Sequence, residues 1–214
     1  MHQLHRGEVP SCLEQHDRTS GNDWKTVSPE DKTRIWEALQ AMQLNRCAYC
    51  ERKITDPKQH IEHFCPRNRF PQETFAWSNI FGSCNNRDHC GKHKDNKQHV
   101  QSYEPADLIK PDKEDPEKLL LFVVDGTVAV RHNLSLDDQR RAEETIRVFN
   151  LNAASLKNQR LQAVQAYLSL ADDQSELSDM DWCEYIKDEL QEAARHAFVT
   201  AVRHTLTEPD ARRA

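Results

Sequence analysis

Residues 47–50 read Cys-Ala-Tyr-Cys, and residues 84–95 read Cys-Asn-Asn-Arg-Asp-His-Cys-Gly-Lys-His-Lys-Asp. Two cysteines separated by two residues form a knuckle whose thiolates bind one tetrahedral zinc ion, and a second pair supplies the other two ligands. The second pair here, Cys84 and Cys90, is separated by five residues. A wider loop still brings two thiolates together, so we expect these four cysteines to hold a structural zinc ion. His89 is an alternative ligand in place of Cys84 or Cys90.

Two shorter motifs lie between the cysteine pairs: His-Ile-Glu-His-Phe-Cys-Pro at residues 60–66 and Trp-Ser-Asn-Ile-Phe at residues 77–81. Neighbouring side chains of an ideal strand point to opposite faces, but twist at a strand end brings Glu62 toward a metal ion and His63 toward a nearby water. A carboxylate is a hard oxygen ligand for a divalent cation, and a neutral imidazole deprotonates an attacking water. The pattern therefore predicts a site for phosphodiester hydrolysis.

Together, these motifs resemble those of the HNH endonucleases. The resemblance lies in Cys-x-x-Cys, Glu-His-Phe-x-Pro, Trp-x-Asn-x-Phe and Cys…His-Cys-Gly-x-x-Lys-Asp, and it covers about a quarter of the chain. More narrowly, the motifs are similar to those of the HNH subunit of the Septu anti-phage systems, including the retron-associated form. The resemblance implies an α+β, mainly α fold: a ββα-metal core with a zinc knuckle of the treble-clef kind, flanked by an N-terminal helix and a C-terminal helical region.

The resemblance also implies the roles of individual residues. His63 becomes the general base, Glu62 a ligand of a catalytic Mg²⁺ or Mn²⁺ ion, and Asn79 the central asparagine that orders the loop. It also makes the four cysteines the structural zinc ligands. Zinc-bearing HNH nucleases usually place the last catalytic ligand directly after the final cysteine, where this chain has Gly91. His93 is the nearest substitute. Further candidates behind it are Asp95, Asn85 and Asn86.

Basic charge is concentrated around these motifs. Residues 46–98 carry ten Lys and Arg against six Asp and Glu, although the whole chain has a net charge of −6. Charge in a cleft steers a polyanion more than total charge does, so we expect nucleic acid, DNA or RNA including tRNA, as the substrate. Arg67 and Lys94 are the candidate phosphate contacts, although a basic run also suits a solvated face. His60 is either a substrate or metal contact or a surface histidine.

The cysteine content and hydropathy indicate a cellular location. Four of the seven cysteines lie in the two motif pairs, and the chain has no secretory signal and no apolar run of membrane length. This pattern indicates metal binding more than disulfides. The sequence therefore predicts a cytoplasmic protein with no membrane contact, in which the other cysteines, Cys12, Cys65 and Cys183, are packing residues. The acidic remainder of the chain suggests a partner subunit, and the resemblance implies that this partner is a Septu-type ATPase.

The whole chain divides into four predicted regions. These are an N-terminal arm that lies on the surface or against a partner (1–28), the zinc-bearing nuclease core (29–103), a linker with a β-hairpin (104–134) and a C-terminal helical region (135–214). Capping residues and apolar spacing predict the individual elements. They are a helix from Ser28 to about Asn45, a strand over 60–64, a short helix over 89–98, a hairpin over 119–130, and helices after Ser135, over 153–171 and over 179–206.

Two other interpretations remain at this point. The chain could be a non-catalytic zinc module that binds nucleic acid or a protein partner, and the absence of a ligand at Gly91 favours this. The four cysteines could also be unrelated core thiols. Their position on either side of Glu62, His63 and Asn79 favours the nuclease.

Overall fold

The computed structural model describes residues 1–19, 23–55, 58–172, 179–194 and 196–212. The fold is mixed α/β and about half helical, with two small antiparallel sheets. The described helices are α1 (Ser11–Thr19), α2 (Pro29–Gln43), α3 (Cys90–Lys94), α4 (Leu136–Val148), α5 (Ala154–Asp172), α6 (Asp179–Ala193) and α7 (Val199–Thr207). The described strands are β1 (Gln59–His63), β2 (Ile80–Cys84), β3 (Leu120–Phe122) and β4 (Val128–Val130). Within these ranges, every helix is too short or too polar to cross a lipid bilayer.

The N-terminal segment is packed into the molecule. The sequence predicts an arm on the surface or against a partner, and that prediction is wrong for Leu4 and Leu13, which are buried, although Val9 is exposed. The Leu4 N–H donates a hydrogen bond to the Pro111 carbonyl at 2.8 Å, and Leu13 lies on α1. The apolar residues of this segment are few and irregularly spaced. Met1 and Leu4 belong to one hydrophobic cluster and Leu13 to another, so no single periodic pattern reveals their burial.

Helix α2 leads directly to the first cysteine pair, as predicted. Its N-cap is Ser28, whose Oγ accepts the Asp31 N–H at 3.0 Å. The helix ends at Gln43 because Leu44 is left-handed, with φ 51°. The Gln43 amide donates to the Gly82 carbonyl at 2.8 Å and accepts the Gly82 N–H at 2.7 Å. These two bonds join the end of α2 to β2.

Strands β1 and β2 and helix α3 form one small unit. The strands pair antiparallel, with Gln59 opposite Cys84 and His63 opposite Ile80. Helix α3 follows β2 and packs against it, so the two halves of the 47–95 stretch meet. The predicted strand and short helix are both present, although α3 is only five residues long.

The predicted hairpin and the next two helices are also present. Strands β3 and β4 pair antiparallel, and Gly126 has the positive φ of 85° that the turn requires. A Cβ at Gly126 would lie 2.1 Å from the Lys157 carbonyl oxygen, so the turn packs directly on α5. Helix α4 is capped by Ser135, whose Oγ accepts the Asp138 N–H.

The single long helix predicted over 179–206 is wrong. The chain forms two helices instead, because Phe198 has φ 60° and starts α7. The Phe198 N–H donates to the Glu51 carbonyl at 3.2 Å, and the Thr200 N–H donates to Glu51 Oε2 at 2.9 Å. A carboxylate at a helix N-terminus stabilises that helix. The break between α6 and α7 therefore depends on Glu51, which lies 149 positions from Thr200 in the sequence. The spacing of apolar residues along a helix does not reveal such a distant contact.

Candidate metal centre and adjoining cleft

The four motif cysteines form one buried cluster. Their sulfur atoms all lie within 4.8 Å of one another. The neighbouring sulfurs of Cys47 and Cys50 raise the pKa of the Cys84 thiol, and burial raises the pKa of Cys90. Four thiolates at this distance therefore need a cation to offset their charge. The donor set fits a structural metal ion such as zinc.

His89 lies directly beside this cluster. Its ring is fully buried, and its Nδ1 lies 3.4 Å from Cys84 Sγ and 3.3 Å from Cys90 Sγ. With Nδ1 protonated, the ring donates to both sulfurs, and such hydrogen bonds stabilise metal-bound thiolates. Among the described residues, the group of mutually close metal donors contains the cysteines alone.

A cleft of about 670 Å³ lies along β1. Its wall combines the predicted catalytic residues with basic and aromatic side chains. These include His60, Glu62, His63, Lys94 and Asp95, the basic residues Lys32, Arg67, Arg69 and Lys97, and the aromatic residues Trp24, Trp36 and Tyr103. The cleft therefore brings the Glu-His motif of β1 together with the end of α3.

Glu62 is fully buried at this cleft. The Lys94 Nζ lies 2.8 Å from Glu62 Oε1, and the His60 Nε2 lies 3.3 Å from Oε2. Both are ion-pair contacts, yet neither oxygen accepts a well-aligned hydrogen bond from the described residues. Burial raises the pKa of Glu62, but the Lys94 charge and the His60 contact outweigh this effect and lower it to about 2. Glu62 is therefore an ionised carboxylate with coordination capacity left.

The space for this carboxylate depends on Gly91. A Cβ atom at Gly91 would lie 2.2 Å from Glu62 Oε2, well inside van der Waals contact. The position where the HNH resemblance expects a metal ligand thus provides room for Glu62 instead.

His63 is held in one orientation by its neighbours. Its side chain is only 7% exposed, and its Nε2 lies 2.9 Å from the Thr74 carbonyl oxygen. Because a carbonyl only accepts, the proton is on Nε2 and the lone pair is on Nδ1. The Trp24 ring contacts the His63 ring in a T-shaped arrangement, with centroids 4.6 Å apart. Burial lowers the pKa of His63 to about 4, so the imidazole is neutral at physiological pH.

Asn79 fixes both ends of the loop that follows β1. Its Oδ1 accepts the Cys65 N–H at 2.7 Å, and its Nδ2 donates to the Cys65 and Glu73 carbonyls at 3.1 and 3.0 Å. The loop carries Arg67, whose guanidinium lies 6.0 Å from the Trp24 ring centroid. Arg67 is exposed at the cleft.

Lys94 and His93 point to different parts of the molecule. The buried Lys94 Nζ donates to Asp95 Oδ1 at 2.5 Å, to Tyr103 OH at 3.2 Å and to the His63 carbonyl. The His93 Nδ1 instead lies 2.9 Å from the Val148 carbonyl oxygen of α4. The structure therefore brings Asp95, and not His93, close to the Glu62 ion pair.

Two cleft residues have no sequence pattern that would single them out. Trp24 lies in a short 3-10 turn before α2, and Tyr103 lies after α3. Their contacts with His63 and Lys94 come only from the tertiary fold.

No model of a known protein family matches this chain. Among curated proteins, a segment of the chain is similar to the Septu protein PtuB of Bacillus thuringiensis. The chain has a Septu relative. The two sequences are 35% identical over 49 residues, which is 22% of this chain and 19% of that protein. The match thus spans about a fifth of the relative's length.

Proposed function

We propose that this chain is a metal-dependent HNH nuclease that hydrolyses nucleic-acid phosphodiesters, as the effector subunit of a Septu-type anti-phage complex. One observation carries the proposal: the neutral His63, with its lone pair on Nδ1, stands beside the buried and ionised Glu62 in one cleft. A base and a metal-binding carboxylate are the two groups that this hydrolysis requires.

The order of elements supports an HNH core. The antiparallel pair β1–β2 precedes the short helix α3, which is the order of a ββα-metal unit. Zinc bound by the four cysteines would join the knuckle before β1 to the start of α3. The similarity to a Septu protein supports the assignment to a defence complex.

Each residue of the site has a specific task in the proposed reaction. A divalent ion such as Mg²⁺ or Mn²⁺, bound through Glu62, would polarise the scissile phosphate and stabilise the leaving oxygen. His63 Nδ1 accepts a proton from the attacking water, while the bond from Nε2 to Thr74 keeps the ring in place. Asn79 holds the loop so that Arg67 offsets charge on the phosphate.

The polyanionic substrate follows from the charge at the cleft. Exposed basic side chains line its mouth, and local positive charge attracts phosphates whatever the net charge of the chain. Either DNA or RNA fits this chemistry. This sequence has five glycines and no phosphate-binding glycine loop, so the proposed complex would take its ATPase activity from a partner subunit.

Replacing the proposed base is the direct test of function. We expect His63→Ala to abolish cleavage of DNA or RNA in Mg²⁺ or Mn²⁺, assayed with and without the partner ATPase. Zinc content should stay near the wild-type value, because His63 lies outside the cysteine cluster. The Tm should fall moderately, because the buried ring and its bond to Thr74 are lost, so circular dichroism at the assay temperature confirms that the variant is folded. Wild-type cleavage by this variant would place the base elsewhere.

A non-catalytic zinc module is the second candidate. Two observations favour it: Gly91 offers no ligand, and Lys94 Nζ lies 2.8 Å from the Glu62 carboxylate. The two candidates differ in one physical requirement, because only the nuclease needs a second divalent ion besides zinc.

A further inference from the structure

The ammonium group of Lys94 is surrounded by oxygen atoms at the cleft. Its Nζ lies 2.8 Å from Glu62 Oε1, 2.5 Å from Asp95 Oδ1, 3.1 Å from the His63 carbonyl oxygen and 3.2 Å from Tyr103 OH. We call these four oxygens the oxygen cage. Lys94 itself is 1% exposed.

The oxygen cage has the composition of a hard-cation site. Carboxylate and carbonyl oxygens are the ligands that Mg²⁺ and Mn²⁺ prefer. Glu62 is fully buried and accepts no well-aligned hydrogen bond within the described part of the chain, so its carboxylate keeps lone pairs for a metal ion besides its ion pair with Lys94. Asp95 is 44% exposed, which gives the cage an opening toward the cleft.

We propose that the oxygen cage is the divalent-cation site of this protein, with Asp95 as the second carboxylate ligand and Lys94 as a resident cation that the metal ion displaces. This inference rests on the proposed nuclease function and specifies its metal site. An ammonium and a divalent ion cannot share the cage, because like charges at this separation repel strongly where water is excluded.

Displacement also gives Lys94 a second role. Its four-carbon stem is flexible, and the cleft next to the cage is where a substrate phosphate would lie. A displaced ammonium pairs with that phosphate, which would make metal ion and substrate bind cooperatively. Lys94 thus contacts Glu62 when the site is free of metal, and contacts the substrate phosphate when the metal ion is bound.

The test measures Mn²⁺ affinity in the zinc-loaded protein without nucleic acid, by the loss of the free-Mn²⁺ electron paramagnetic resonance signal. We expect Lys94→Met to lower the Kd at least tenfold, because it removes the competing charge. Lys97→Met removes the same charge from the cleft wall and should change the Kd less than threefold. Adding Asp95→Asn to Lys94→Met should raise the Kd at least tenfold.

Unchanged or weaker Mn²⁺ binding by Lys94→Met would overturn the proposal, as would an Asp95→Asn substitution without effect. Because Lys94→Met leaves Glu62 without its counter-ion, folding is measured in parallel. Mn²⁺ should raise the Tm of this variant more than that of the wild type, and a Glu62→Gln/Lys94→Met double variant should fold but bind no Mn²⁺. If the wild type cleaves nucleic acid while Lys94→Met shows unchanged affinity, the cage is refuted and the nuclease stands.

Discussion

Gly91 is a glycine at a position where the resemblance predicts a metal ligand. Its position follows the last cysteine, where the resemblance calls for a ligand, and the carboxyl carbon of Glu62 would lie 2.5 Å from a Cβ there. The sequence therefore identifies position 91 as unusual, but it does not reveal that the glycine leaves room for Glu62. Glu62 and Gly91 meet only because α3 packs on β2, next to β1.

Substituting Gly91 tests this contact. Alanine is a better helix former by about 1 kcal/mol, but overpacking a filled site costs about 1–3 kcal/mol, so we expect Gly91→Ala to be destabilising. The displaced Glu62 should also weaken Mn²⁺ binding. Urea unfolding measures the first effect, with Gly7→Ala as the control, because nothing lies within 4 Å of a Cβ at Gly7. Full stability and Mn²⁺ affinity in Gly91→Ala would contradict the contact.

At the scale of elements, the local sequence was sufficient to predict some helices and strands but not others. The caps Ser28 and Ser135 each accept the N–H three residues ahead, and such a bond is readable from a few neighbouring residues. The start of α7 is different, because its N-terminus is satisfied by Glu51. Burial of Leu4 likewise depends on Pro111. Periodicity and capping patterns therefore do not predict elements whose position is fixed by residues distant in the sequence.

The packing of α7 on β3 includes a series of linked hydrogen bonds. The Phe122 N–H donates to His204 Nδ1 at 3.0 Å, so the proton of the neutral ring is on Nε2, which donates to Glu117 Oε2 at 3.1 Å. Burial raises the pKa of Glu117, but the His204 hydrogen bond and the Arg203 charge outweigh it, and the pKa is lowered. A lowered carboxyl pKa adds stability above the unfolded-state value, and this stability is lost as pH falls through the folded-state value.

Glu117→Gln is therefore expected to reduce the free energy of unfolding at pH 7 by about 1 kcal/mol. The difference from the wild type should shrink as pH falls from the ordinary glutamate pKa of about 4.3 through the lower folded-state pKa, because only below the latter is Glu117 protonated in both states. Urea unfolding at several pH values measures it, with the exposed Glu37→Gln as control. A difference that stays constant with pH would show that the Glu117 charge does not matter.

At the scale of the whole molecule, the first cysteine pair connects distant segments. Arg46 donates to the Ala194 and His196 carbonyls, both at 3.2 Å, after the end of α6. Glu51, on the other side of the pair, caps α7. Loss of the metal would thus disturb the C-terminal helices as well as the cleft. Cysteine spacing predicts the metal centre from the sequence, but its connection to α6 and α7 requires the fold.

Removing one zinc ligand should therefore affect the whole chain. We expect Cys50→Ser to lose bound zinc and to give insoluble or unfolded protein, because a structural zinc site contributes on the order of ten kcal/mol in small zinc domains. Elemental analysis and circular dichroism measure the two effects. Cys65→Ser is the control, since Cys65 lies outside the cluster. A soluble, stably folded Cys50→Ser protein would rule out the structural role.

We propose that the chain carries two different metal sites, one structural and one at the cleft along β1. Calorimetric titration of Mn²⁺ into the zinc-loaded protein tests it most directly. We predict one further Mn²⁺ ion per chain, bound more weakly than zinc and lost in Glu62→Ala, whose zinc content is unchanged. Absence of any Mn²⁺ binding to the zinc-loaded wild type would contradict the claim and leave a zinc module without a catalytic centre.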